Sequence, residues 1–315
     1  MCRDLINAQN WRVVSTISIL HWGHCRCRRA AQFYYTRWRH TAACQCSAMP
    51  EDSSRLRQQL SDCVADVTQW YSSRRLQLNT DKTEAIWIGS RAATNKLLSQ
   101  DRSLTVGTSI TINLSDVVRD LGVLFDFGLT MKKHIAKVAA VCFFHIRWFC
   151  QIRRRVGKDV TIRIVLALIT PRLDYCNSVL GAMPQSTLEP LQRVQNAVLM
   201  FRHTWCKIHW LPVRSRVQFK LCTLMHAIHN KRSPSYLSDP VQTVAPATTR
   251  CGLWSSATTD YTLPRTLSKF GERAFAYAGP AAWNRLPEHI RRQFTPATFR
   301  RHLKTCLFAE VFNTT

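Results

Sequence analysis

Leu76-Gln-Leu-Asn-Thr-Asp-Lys-Thr-Glu-Ala-Ile-Trp-Ile-Gly-Ser90 is where the periodicity of this chain changes. A polar turn runs into the apolar segment Ala85-Ile-Trp-Ile88, which Gly89 closes, the pattern of a buried strand. Upstream, Ser53 is placed to cap a helix. Its apolar residues Leu56, Leu60, Cys63, Val64, Val67, Trp70 and Tyr71 recur at three-to-four spacing, so one face packs on something. Downstream, Leu104-Thr-Val106 and Ile110-Thr-Ile112 flank Gly107-Thr-Ser109, a hairpin signal, and Leu121-Gly-Val-Leu-Phe125 reads as a further strand. Helix, strand, hairpin and strand in this order predict an α+β class.

The chain has 315 residues, 46% of them apolar, enough for a real core. Its 44 Lys+Arg against 19 Asp+Glu give a net charge of +25. That excess attracts polyanions, nucleic acid first and an anionic membrane surface second. No uninterrupted apolar run reaches the roughly 18 residues of a membrane span, so none is expected. Val13-Val-Ser-Thr-Ile-Ser-Ile-Leu20 leads into His and Arg rather than a cleavage site, so no secretory leader is expected. The thirteen cysteines then read as reduced thiols inside the cell, in nucleus or cytoplasm.

Residues 1–50 differ from the rest. Trp11, Trp22 and Trp38 follow no helix or strand period, and no acidic residue stands between Asp4 and Glu51. Cys25-Arg-Cys27 and Cys44-Gln-Cys46, with His21, His24 and His40, invite a zinc reading. Their C-x-C spacing is not the C-x2-4-C of structural zinc, so no metal ligand is assigned.

Residues 129–235 predict a basic helical bundle. Thr130 is placed to cap a helix with Met131, Ile135, Val138, Cys142, His145 or Ile146, and Phe149 on one side. Its charges Lys132, Lys133, Lys137, Arg147, Arg153, Arg154 and Arg155 are all positive. A second helix runs from about Asp159 to Ile169 and stops near Pro171. A third opens on the capping box Ser186-Thr-Leu-Glu189, and a fourth spans Val213 to His229. Pro240 to Arg265, rich in Thr, Ser and Pro, reads as a loop. Thr295-Pro296 then starts a last amphipathic helix carrying Phe299, Leu303, Cys306 and Leu307.

Several strings resemble reverse transcriptases of non-LTR retrotransposons of the CR1/L2/Jockey kind. They are Leu78-Asn79…Lys82-Thr83, Val118-Arg-Asp-Leu-Gly-Val-Leu-Phe-Asp126, Arg172-Leu-Asp-Tyr-Cys-Asn-Ser178, Leu191-Gln-Arg-Val-Gln-Asn-Ala197, His209-Trp-Leu-Pro-Val213 and the block Gly271 to Pro287. The likeness covers about residues 51–315 and implies the end of a palm followed by thumb-like helices. It implies that Lys82 lies near the incoming nucleotide and protonates departing pyrophosphate, where a cationic acid helps an oxyanion leave. It implies that Leu121 and Gly122 belong to the primer grip. Without the likeness, Lys82 is a solvated turn lysine and Gly122 marks a bulged strand. Between Phe201 and His209 the chain is shorter than the family pattern.

The family's chemistry needs two Mg2+ ions held by aspartates. The likeness implies that they stand near residues 30–45, where this chain has none, and Asp116, Asp120 and Asp126 include no adjacent pair. Arg37-Trp-Arg-His-Thr-Ala-Ala-Cys-Gln-Cys46 can be encoded so that the next reading frame gives Asp-Gly-Asp-Thr-Gln-Leu-His-Val-Ser, close to the family's aspartate motif. The expectation is therefore a frameshifted segment 1–50, a palm remnant 51–128, a thumb-like region 129–235 and a C-terminal block 236–315. The family is an RNA-directed DNA polymerase, whereas this chain is expected to be inactive and to retain no cofactor. It is expected to bind RNA and DNA electrostatically through Lys132, Lys133, Lys137, Arg153, Arg154 and Arg155, and to bind no membrane. A non-enzymatic basic nucleic-acid-binding protein, a reading compatible with the first, and an unstable pseudogene product are the alternatives.

Overall fold

The computed structural model describes residues 11–17, 32–36, 39–46, 50–77, 79, 83–88, 103–106, 110–200, 210–244, 259–266 and 271–312. It is α+β and mostly helical, and its contacts divide it into two compact units, Met1–Met131 and Lys132–Thr315.

The first unit is built on a four-stranded antiparallel sheet of β1 (Trp11–Ile17), β2 (Gln32–Thr36), β3 (Arg39–Cys46) and β4 (Thr83–Ile88), in the order β2-β3-β1-β4. In register, Val14 faces Ala43 on one side and Ile86 on the other. Helix α1 (Pro50–Ser73) connects β3 to β4, and its Val64 and Tyr71 are buried. It starts at Pro50, so Ser53 lies inside the helix and is not its cap. No strand was expected before residue 50. The β-favouring pairs Val13-Val14 and Tyr34-Tyr35 fall within the observed strands.

Strand β4 is the predicted one, with Ala85, Ile86 and Ile88 all buried, as a strand covered on both faces requires. The predicted hairpin is β5 (Ser103–Val106) with β6 (Ile110–Asn113). The strand expected over 121–125 is instead a second hairpin, β7 (Val117–Asp120) with β8 (Val123–Asp126). Asp120 pairs with Val123, which leaves Leu121 and Gly122 as a two-residue turn with φ of 45° and 86°. Left-handed conformation at both positions matches the right-handed twist of the flanking strands. Gly122 is a turn glycine rather than a bulge.

The second unit begins with α2 (Lys132–Leu168), broken at Gly157, whose φ of 75° and ψ of 171° are not helical. The break separates the two helices that the sequence predicts. Short α3 (Thr170–Asp174) follows, with Pro171 in its first turn, then a 3-10 turn (Asn177–Leu180), α4 (Gln185–Met200) and α5 (Val213–His229). Helix α4 starts one residue before the predicted capping box, so Ser186 is in the first turn and the Pro184 carbonyl accepts from Leu188. Glu189 pairs with Arg193 at 3.5 Å instead of reaching back to a cap. The chain closes with α6 (Ser235–Ser238), α7 (Phe275–Asn284), α8 (Glu288–Arg291) and α9 (Pro296–Phe312). The Thr295 carbonyl accepts from Phe299, and Phe299, Leu303 and Leu307 are buried, as predicted for that helix.

Trp283 is the centre of this unit. It is fully buried, its indole N–H donates to the Thr259 carbonyl at 2.9 Å, and it stacks with Phe299 at a ring separation of 5.9 Å. Beside it, Asn284 pairs with both backbone groups of Tyr261, at 3.0 and 2.8 Å. Tyr261 also bridges to Thr243, so the stretch read as a loop carries an ordered β contact. Gly279 lets α7 approach α5: a Cβ there would stand 2.9 Å from the Met225 sulfur.

Candidate nucleic-acid interface

The first half of α2 is two-sided. Ile135, Ala139, Cys142, Ile146 and Phe149 are buried, repeating every three or four residues, and α2 packs on α3 and α4. The opposite face exposes Lys133, Lys137, Phe144, Arg147, Trp148 and Arg155. Phe144 is 61% exposed and Trp148 47%, large apolar rings standing among cations. The chain from 127 to 158 contains no Asp or Glu, and the first acid of this helix is Asp159, beyond the break at Gly157. Four of the eight acids in the unit hold arginine partners: Asp174 pairs with Arg216, Asp260 with Arg291, Glu189 with Arg193 and Glu288 with Arg292. Bases stack on exposed aromatic rings and phosphates meet neighbouring cations, so this face suits a single strand.

Of the residues assigned from sequence, Lys132, Lys133, Lys137 and Arg155 are exposed on α2. Arg153 and Arg154 belong to the helix, but their side chains lie outside the described residues, as do Lys82 and the Cys25-to-Cys46 cluster. Leu121 and Gly122 are exposed at the tip of the β7–β8 hairpin. Sequence reasoning missed Phe144 and Trp148. The signal was available, since both fall on the polar side of the stripe that Ile135, Cys142 and Phe149 define.

Asp116, Asp120 and Asp126 do not form a magnesium site among the described residues. Both oxygens of Asp126 accept backbone N–H groups, from Thr130 and Met131 at 3.0 Å each. Asp120 is buried at the end of β7 and Asp116 exposed in the bend before it, and no group of three potential ligands gathers among the described residues.

The strings without assigned chemistry converge on a structural joint. Asp174 takes Arg216 in a two-pronged pair, and Arg216 also lies 5.5 Å from the Trp210 ring. Gln195 donates to the Leu211 carbonyl at 2.9 Å, and Gln192 accepts from the Val213 N–H at 3.0 Å. Three separate strings thus fix the entry of α5 against α3 and α4. The histidines of α5 are likewise packing groups. His226 Nε2 donates to the Gln293 carbonyl at 2.7 Å while its ring stacks on Phe299, and His229 meets the Tyr261 hydroxyl at 3.2 Å. Burial holds both imidazoles below their ordinary pKa and pushes the Tyr261 phenol up to about 12.

The segment Lys132–Ile152 is long and apolar enough to cross a membrane by length and composition, with a mean hydropathy of 1.4. The requirement of an uninterrupted apolar run passed over it. Comparison with known proteins finds no matching family model, no matching curated protein and no matching solved structure.

Proposed function

We propose that this chain is a catalytically inactive remnant of a non-LTR retrotransposon reverse transcriptase that retains single-stranded nucleic-acid binding. The observation that carries the binding is the exposed α2 face, where Phe144 and Trp148 stand among Lys133, Lys137, Arg147 and Arg155. The ancestry is supported by the family strings, by the α+β first unit and by the exposed Leu121-Gly122 tip in the string that resembles a primer grip. Inactivity is supported by the carboxylates: there is none between Asp4 and Glu51, and Asp126 is engaged by backbone. Primer extension with an RNA template and Mg2+ is expected to give no product above background.

Binding is tested by fluorescence anisotropy with a single-stranded RNA over a salt series. Log affinity should fall linearly with log salt, by about 0.7 for each phosphate contact. The triple variant Lys133→Glu, Lys137→Glu, Arg147→Glu should flatten that slope by about 2 if each cation meets one phosphate. Phe144→Ala with Trp148→Ala should cost about 1–3 kcal/mol per stacked base and leave the slope unchanged. Affinity indifferent to salt and to both variants defeats the assignment. The apolar Lys132–Ile152 segment favours a second reading, a helix seated on an anionic membrane surface. Co-sedimentation with vesicles of anionic lipid, with no RNA binding, would select it.

A further inference from the structure

We infer that the open cavity lined by α4, α5 and α7 is a binding site for a nucleoside monophosphate. Its volume is about 340 Å3, at the small end of the range that small-molecule sites occupy. The floor is apolar and buried, formed by Leu188, Val217, Leu221 and Ala278. Gly181 lets that floor close, because a Cβ there would stand 3.2 Å from both Leu221 and Ala278. The remaining wall is polar. Arg214 and Arg285 are exposed, and Gln218, Tyr277 and Glu272 are half-buried.

Arg193, Arg216, Arg291 and Arg292 of this unit each hold an acidic partner. Arg214 and Arg285 hold none among the described residues, although Glu272 lines the same cavity. Two uncommitted guanidinium forks match the oxygens of a phosphate. A flat body covers the apolar floor and the Tyr277 ring. Glu272 accepts only, so it favours a ligand with N–H donors, and the Gln218 amide both donates and accepts. A purine or pyrimidine edge supplies such groups. The inference does not depend on the α2 face or on the family resemblance.

Calorimetric titration of the full chain with AMP, GMP, CMP and UMP tests it, with adenosine and inorganic phosphate as partial probes. At least one monophosphate should bind with a Kd below about 1 mM and at least about tenfold more tightly than either partial probe. Arg214→Ala with Arg285→Ala should weaken it about tenfold or more, the scale of lost charge-assisted bonds. Ala281→Trp, which fills the cavity from a half-buried wall position, should abolish binding with the arginines intact. Circular dichroism confirms that each variant folds. Competition by a single-stranded oligonucleotide would assign the same chemistry to a strand, and its absence to a free nucleotide. No monophosphate binding up to 5 mM, or affinity unchanged in both variants, overturns the site.

Discussion

The two units of this chain divide charge very unequally. Residues 1–131 carry 16 Lys+Arg against 11 Asp+Glu, whereas residues 132–315 carry 28 against 8. The described part of the first unit is sheet, hairpins and one helix, and that of the second is almost entirely helix. In the second unit four of the eight acids hold arginine partners, and the cations of α2 and of the α5–α7 cavity face solvent. The positive charge is therefore concentrated in the helical unit, and a whole-chain charge of +25 hides that location.

The sharpest way to break this comparison is to remove the packing centre of one unit only. Trp283→Ala leaves a large cavity among His226, His229, Tyr261 and Phe299. The expected loss is about 3–5 kcal/mol. Hydrogen exchange should show lost amide protection across 213–312 and unchanged protection across 83–126. Equal loss in both ranges would mean that the units share one cooperative core.

Much of this architecture was legible in the sequence because periodicity reports burial directly. The α2 stripe, the β5–β6 hairpin, β4 and α9 are where apolar spacing put them. Helix starts were less legible, since Ser53 and Ser186 are capping residues by type yet the helices begin ahead of them. The β7–β8 turn was missed because a leucine in left-handed conformation leaves no compositional signal, and only Gly122 hinted at it. Of the candidate site, the cations were readable and the two aromatic residues were passed over. Phe149 was assigned to the buried stripe and is buried, whereas Phe144 and Trp148 were given no role and are exposed. The α5–α7 cavity was beyond sequence reasoning, since its residues come from four segments between 180 and 285.

A milder way to separate the units is pH. Burial lowers the pKa of His226 and His229, more weakly opposed at His226 by its bond to the Gln293 carbonyl. The folded chain therefore keeps both imidazoles neutral where the unfolded chain protonates them. With more protons bound in the unfolded state, stability is fully present above the ordinary value of 6.5 and falls as pH drops below it. Urea midpoints for the second unit should decline from pH 7.5 to pH 5. His226→Gln keeps a donor for the Gln293 carbonyl and removes one titrating group, so it should flatten part of that decline. A midpoint that rises toward pH 5 would mean that both rings gain charge partners on folding.

The smallest expected effect bears on the first unit. Leu121 sits at a φ of 45°, a conformation that costs a β-carbon-bearing residue roughly 1–2 kcal/mol and glycine almost nothing. Leu121→Gly should relieve that strain, offset in part by the extra freedom glycine has in the unfolded chain, for a net gain of about 0.5–1 kcal/mol. If the exposed leucine at the hairpin tip also touches a bound strand, the same substitution should lower RNA affinity while raising stability. Opposite signs in the two measurements are what a strained contact residue produces, because the strain is kept for the contact. A gain in stability with affinity untouched would confine strand binding to the helical unit and widen the difference between the two regions. A loss in both would mean that Leu121 is held by packing, and that the turn is shaped by the fold rather than by a ligand.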